Sequence, residues 1–242
     1  MEIAVHQISI PDHIVRRVRA ERGGREHLFD ELDLSRTAHV IVDLQNGFVR
    51  EGAPVEVPFT REIIPGVNAI SRAVRAAGGV NAFLRFTYDE SEMLPWQSFY
   101  REYATPEQLA VSKAAFTRGA TDFELWPGLD IAASDLIVDK TRFSGFIPGT
   151  SELHALLQAR GIDTLIITGT LTNCCCESSA RDAMQMGYKI IFVSDANATL
   201  SDEEHNATLI SMTTIFADVM NTAHLLGVIE ASTAPEVRTA AQ

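Results

Sequence analysis

Apolar and β-branched residues gather in six short runs, separated by polar segments that carry most of the glycine and proline. The runs span 38–44 (Ala-His-Val-Ile-Val-Asp-Leu), 80–86, 136–139, 165–168, 188–193 and 213–216. Each is continuous rather than alternating, as expected of a strand covered on both faces. Between them the period turns helical. The stretch 63–77 is amphipathic and is stopped by Gly78-Gly79, 150–159 is stopped by Gly161, and 202–211 and 219–226 read as the two closing helices. Strands alternating with helices predict an α/β fold: a doubly wound, mainly parallel six-stranded sheet with helices on both faces.

Three regions fall outside this rhythm. Residues 1–36 form a polar arm in which Arg16, Arg17, Arg19, Arg22 and Arg25 interleave with Ile14, Val15 and Val18; Pro11 and Asp12 open a helix there. The arm is expected to pack on the body, 37–229, or on another subunit. Residues 87–122 make a long aromatic-rich excursion containing Tyr88, Trp96, Phe99, Tyr100, Tyr103 and Phe116. Two readings stay open for it, a lid over a pocket or a core subcluster beneath a loop. Residues 230–242 read as a mobile polar tail.

Hydrophobic residues make up 46% of the 242 and charged residues 21%, proportions that suit a globular protein with a substantial core. The net charge of −12 argues against nucleic acid or an anionic membrane as main partner, and leaves a small-molecule substrate open. The three cysteines are contiguous at 174–176, so no long-range disulfide is expected and a reducing compartment is. The N-terminus has no basic stretch followed by an apolar one, and no apolar run is long enough to span a bilayer, so a cytoplasmic protein is expected. Neither a Gly-x-Gly-x-x-Gly fingerprint nor a P-loop occurs, and no cofactor is expected.

The chemistry concentrates in 163–187. The run Leu165–Thr168 ends at Gly169, a polar break follows at 170–173, and small or apolar residues then recur with helical spacing at Cys176, Ala180, Ala183, Met184 and Gly187. Thr172 or Asn173 is read as the N-cap. This arrangement sets three cysteines at a helix N-terminus, where free amides and the helix dipole favour a thiolate. The same cysteines also suit small core filler, and at least one must point inward. Two other strand ends carry ionisable groups, Asp43 and Lys140. Ligand clefts of open parallel sheets lie outside such ends. An acid, a cation and a thiol together make a nucleophile set. His39, inside the first run, reads as a core or interface histidine.

The motifs Val-Asp-Leu-Gln-Asn-Gly-Phe at 42–48, Lys-Thr-Arg-Phe-Ser-Gly-Phe at 140–146 and Gly-Thr-Leu-Thr-Asn-Cys-Cys-Cys-Glu-Ser-Ser-Ala-Arg-Asp-Ala at 169–183 resemble the isochorismatase-like cysteine hydrolases. The resemblance runs from about Thr37 to about Leu226 and is nearest to the ureidoacrylate and N-carbamoyl amidohydrolases. It implies that Cys175 is the nucleophile, Asp43 the general base and Lys140 the cation, with Cys174 and Cys176 standing where apolar valines are usual. It also implies a cis peptide at Thr170–Leu171 and an oxyanion hole from the amides of Leu171 and Cys175. The implied reaction cleaves a C–N bond of a small amide or ureido acid through a thioester.

Gln45, Phe48, Arg85, Trp96, Arg142 and Phe143 are candidate substrate contacts, Arg142 or Arg85 for a substrate carboxylate. Phe143 replaces a usual tyrosine. Nicotinamidases of this family carry a metal cluster after the second strand; 87–107 has no histidine, so no metal is expected. A homo-oligomer, dimer or tetramer, is expected. The competing readings are an isochorismatase-type vinyl-ether hydrolase, which needs the aspartate but no thiol, and a thiol-sensing binding module, in which Asp43 and Lys140 would be superfluous. Three consecutive cysteines do not supply a spaced zinc set, and His154 heads a helix at the wrong end of the next strand for a cysteine–histidine pair.

Overall fold

The continuous apolar runs become strands because neighbouring strands and helices on both sides can cover them. The computed structural model describes residues 6–89 and 96–233. Its strands are β1 (Thr37–Val42), β2 (Val80–Phe86), β3 (Leu136–Lys140), β4 (Thr164–Thr170), β5 (Lys189–Ala198) and β6 (Asp218–Met220). They form one sheet in the order β3-β2-β1-β4-β5-β6, and every pairing is parallel. Every residue of β1 and β4 is buried, whereas β3, at the edge, leaves Ile137 half exposed.

The helices are α1 (Asp12–Glu21), α2 (Asn46–Val49), α3 (Thr60–Ala76), α4 (Pro106–Phe116), α5 (Leu153–Gln158), α6 (Glu177–Gln185), α7 (Asp202–Ser211) and α8 (Thr222–Thr233). Alternate residues of the strands feed two cores. On one face Val40, Val42, Leu84, Leu165, Ile167 and Phe192 meet Leu153 and Leu157 of α5 and Ala180 and Ala183 of α6. On the other Ile41, Phe83, Ile166 and Ile191 meet Ile63, Val67 and Ile70 of α3 and Leu225 and Val228 of α8. His39 belongs to the interior, its Nε2 2.7 Å from Thr168 Oγ1 and its Nδ1 3.2 Å from Ser71 Oγ.

The last strand is displaced from the apolar run that announced it. Residues 213–216 lie in a wide π-type turn, Met212–Phe216, continuing α7, with Ile215 exposed. The strand follows at Asp218–Met220, where buried Asp218 accepts bonds from Arg22 Nη1 (3.1 Å) and from the amides of Leu28 (2.6 Å) and Phe29 (3.0 Å). The closing helix accordingly begins at Thr222 rather than 219. The Thr222 amide and hydroxyl both donate to Asp195 Oδ1 at 2.7 Å.

The arm packs on the body. Arg22 reaches the carbonyls of Thr213 and Ala217, and His6 stacks on His205 with centroids 4.3 Å apart while its Nδ1 lies 2.8 Å from Asp202. The first part of the polar tail, to Thr233, is the end of α8; the rest lies outside the described residues. In the excursion after β2, α4 is opened by a capping box between Thr105 and Gln108. A third apolar cluster, Phe48, Phe86, Tyr88, Tyr100 and Phe116, lies beneath it at the carboxyl ends of the strands.

Candidate active site

The strand order reverses direction between β1 and β4, so a crevice opens beyond their carboxyl ends. Asp43 follows β1 directly, Lys140 is the last residue of β3, and the turn Thr172–Cys176 links β4 to α6. Three segments distant in sequence therefore deliver an acid, a cation and a thiol to one place.

Asp43 turns sharply out of β1 with φ +52°, a left-handed conformation that aspartate tolerates better than most residues. Lys140 Nζ lies 2.7 Å from Asp43 Oδ2, and both side chains are fully buried. The ammonium also donates to Arg142 O at 3.1 Å and sits 5.2 Å from the centre of the Phe86 ring. Asp43 Oδ1 has no well-formed hydrogen bond, although the Cys175 thiol is close enough to the carboxyl to favour its ionised form. Burial pushes the Asp43 pKa up, and the Lys140 charge only partly offsets this. Burial works against the Lys140 charge too, but the negative groups at Asp43 and Cys175 outweigh it and hold the ammonium above the usual lysine range.

The turn carrying the cysteines is held from several sides. The amides of Cys174 and Cys176 donate to Leu171 O, each at 3.1 Å. Ser179 Oγ donates to Cys175 O at 2.7 Å and accepts from the Gly145 amide at 3.1 Å, tying the thiol-bearing turn to the loop after Lys140. Neither residue expected as N-cap serves as one: Thr172 Oγ1 pairs with His205 Nδ1 (2.9 Å), and Asn173 Oδ1 accepts from Thr199 Oγ1 (2.7 Å). The Thr170–Leu171 peptide is cis. Just upstream, Gly169 has φ +122° and packs against the Val42 backbone so tightly that any Cβ would collide with it.

The three cysteines are free and differ in setting. Cys176 is fully buried in the core beside α6, as its apolar neighbours suggest. Cys175 is buried but lines a cavity, and Cys174, expected as packing, lines it too. The adjacent thiols of Cys174 and Cys175 act on each other, pulling the Cys174 pKa down and pushing that of Cys175 up; burial and the Asp43 charge raise Cys175 further. Each of these effects favours the protonated form of Cys175.

That cavity measures about 360 Å³. Phe48, Phe86, Phe143 and Leu171 form its inner walls, and Phe99, Tyr100, Leu109 and Phe116, from the excursion after β2, form its outer walls. The excursion is thus both a core subcluster and the cover of a pocket.

Of the residues expected to touch substrate, Phe48 and Phe143 line the cavity and the others do not. Gln45 is a brace instead: its Nε2 donates to Phe86 O (3.0 Å) and Phe123 O (2.8 Å), and its Oε1 accepts from the Phe86 amide (2.8 Å). Arg85 faces a separate, larger hollow beside β3, bonded to Asp139 Oδ1 at 2.8 Å with its guanidinium over Phe123. Trp96 packs on Phe99 and Phe143 and carries the Arg142 guanidinium 5.0 Å from its ring centre. Cys174, Tyr100 and Leu109 were not singled out as contacts, and the only signal for the latter two was the aromatic density of the excursion. His154 Nδ1 pairs with the Tyr188 hydroxyl and His205 Nδ1 with Thr172 Oγ1, so each imidazole has a partner other than the Cys175 thiol.

Comparison with known proteins agrees with this geometry. The Isochorismatase domain model matches residues 37–224. The isochorismatase family protein YwoC of Bacillus subtilis is 32% identical over 179 residues, covering 74% of this chain and 86% of its own. Ureidoacrylate amidohydrolase RutB of Stutzerimonas stutzeri is 29% identical over 195 residues, 75% of this chain and 78% of its own. Among solved structures, a cysteine hydrolase from Pseudomonas syringae pv. phaseolicola superposes with a TM-score of 0.72 at 28% identity, covering 83% of this chain and 95% of that one. With its wholly parallel six-stranded sheet and this match over most of its length, the chain belongs to the isochorismatase family of hydrolases.

Proposed function

We propose that this hydrolase is a cysteine-dependent amidohydrolase, cleaving a C–N bond of a small amide or ureide through a thioester on Cys175. The observation that carries the reading is the convergence of Asp43, Lys140 and a cavity-lining thiol at the ends of three parallel strands. Asp43 is the general base. Its raised pKa makes it a stronger base than an exposed carboxylate, and the Lys140 charge beside it favours the ionised form. With the carbonyl seated above the thiol, Asp43 takes the Cys175 proton and the thiolate attacks the carbonyl carbon. The amides of Leu171 and Cys175 receive the developing oxyanion.

Protonated Asp43 then returns its proton to the departing nitrogen, which leaves as ammonia from an amide. A water molecule, deprotonated in turn by Asp43, adds to the thioester; the acid departs and the thiol is restored. Lys140 keeps its charge throughout, orienting Asp43 and favouring the anionic intermediates. The named amidohydrolases among the relatives support this assignment of bond type. The three free thiols support operation in a reducing compartment.

The test is ammonia release from a panel of small amides and ureido acids. Wild type is expected to release it, Cys175→Ala to lose it by about three orders of magnitude or more, and Cys176→Ala to retain it. Activity that survives Cys175→Ala would remove the thioester from the mechanism and favour a thiol-independent hydrolysis driven by Asp43.

A further inference from the structure

The walls of the cavity specify the group that sits beside the reacting carbonyl. Among the described residues, every lining side chain is uncharged: no arginine, lysine, histidine, aspartate or glutamate reaches it. The cations closest in sequence to the site are committed elsewhere, Lys140 to Asp43 and Arg85 to Asp139, and Arg142 is turned onto the Trp96 ring. Segment 90–95, Glu-Ser-Glu-Met-Leu-Pro, contains no cationic residue.

Polar side chains away from the thiols are few. They belong to Tyr100, Tyr103, Gln108 and Ser112 of the outer wall, and the Gln108 carboxamide oxygen closes the capping box by accepting from the Thr105 amide at 2.8 Å. What remains is aromatic and aliphatic: Phe48, Phe86, Phe99, Leu109, Phe116 and Phe143. A carboxylate entering such walls would lose its hydration and meet no cation in the lining. An aromatic or branched alkyl group would exchange water for ring faces and edges. A volume of about 360 Å³ admits a group of that size with the amide still against Cys175.

We propose, resting on the amidohydrolase reading above, that the substrate is a primary amide with an apolar, uncharged acyl group, aryl or medium alkyl, rather than a ureido or dicarboxylic acid bearing its own carboxylate. The acyl group fills the aromatic cavity and the carbamoyl end meets the thiol. In turnover the amide C–N bond breaks, a C–S bond forms and is then replaced by C–O from water, and the products are ammonia and an apolar carboxylic acid. The negatively charged product is poorly held by the same uncharged walls, which favours its release.

The experiment compares benzamide and hexanamide with succinamate and N-carbamoyl-β-alanine, by ammonia release from wild type and by calorimetric binding to Cys175→Ala. Wild-type kcat/KM is expected to be on the order of a hundredfold or more higher for the apolar amides, with the same order of preference in binding. Leu109→Arg, which sets a guanidinium on a half-exposed part of the outer wall, is expected to narrow or invert that ratio. Preferential turnover or binding of the carboxylate-bearing compounds by the unaltered pocket would overturn the proposal and leave the amidohydrolase reading intact. Binding of benzamide by Cys175→Ala without ammonia release by wild type would uphold the pocket chemistry and sink the amidohydrolase reading. Absence of binding to either set would overturn the proposal.

Discussion

Lys140 Nζ and Asp43 Oδ2 meet at 2.7 Å with neither side chain reached by solvent. A buried pair of this kind contributes little net stability, yet removing one partner strands the other charge at a cost of about 3 kcal/mol or more. Lys140→Met and Asp43→Asn are each expected to lower Tm by several degrees and to abolish ammonia release. The double variant is expected to be more stable than Lys140→Met alone and equally inactive. Additive losses of stability in the double variant would show that the two groups are not coupled.

The neighbouring Cys174 thiol is the largest influence raising the Cys175 pKa, so Cys174→Val should lower it. Valine is larger than cysteine by about one methyl group, but Cys174 is only partly buried, and a small change in stability is expected. Iodoacetamide should label Cys175 several-fold faster in Cys174→Val than in wild type near neutral pH, read by peptide mass spectrometry. Unchanged labelling would assign the high thiol pKa to burial and the Asp43 charge instead.

If Asp43 receives the thiol proton, kcat/KM must rise with pH as Asp43 ionises. Because burial raises that carboxyl, the acid limb is expected above the ordinary aspartate value. The alkaline limb should lie above the ordinary lysine range, since Lys140 is raised and must stay charged. A single ascending limb at the position of a free thiol would mean that Cys175 ionises to solvent and not to Asp43.

His39 is buried between Thr168 and Ser71, and burial lowers its pKa from 6.5 to about 3. The unfolded chain therefore takes up this proton first as pH falls, and unfolding is favoured below 6.5. At about pH 4.5 the loss from His39 alone is roughly 2 to 3 kcal/mol. His205, lowered to about 4, adds to the same window. Urea titrations at about pH 7 and pH 4.5 are expected to show this loss, and His39→Gln to diminish it.

Gly169 tolerates no side chain, because its Cβ direction runs into the Val42 carbonyl and amide across the β1–β4 pairing. Gly169→Ala is expected to separate the two central strands or to prevent soluble expression. Gly187→Ala, where nothing lies within 4 Å, meets only the cost of a positive φ, about 1 kcal/mol. Equal melting temperatures for the two variants would contradict the packing at Gly169.

The strands and the ends of the first and third were readable because each is a local pattern, an apolar run followed by one chemistry-bearing residue, Asp43 or Lys140; after the fourth, three cysteines follow a polar break and the resemblance alone points to Cys175. What the sequence did not disclose depends on partners far along the chain. The run 213–216 looks like a strand, but β6 forms later, where Arg22 and the amides of residues 28 and 29 satisfy Asp218. Thr172 and Asn173 have the chemistry of caps, but His205 and Thr199 occupy them. Arg85 has the charge to hold a carboxylate, but Asp139 on the next strand already holds it. Cys174 was grouped with Cys176 because their neighbours match; only the wide turn after β4 rotates one toward the cavity and the other into the core.

The ammonium comes from the outermost strand of the sheet, whereas the acid and the sulfur hang from two strands at its centre. Peeling of β3 alone, which a sheet margin permits at far lower cost than global unfolding, would withdraw the cation while the rest of the barrier-lowering apparatus stayed in position. On the proposed mechanism, activity is thereby hostage to one edge of the sheet, and mild denaturant or heat should silence the enzyme before its bulk structure melts.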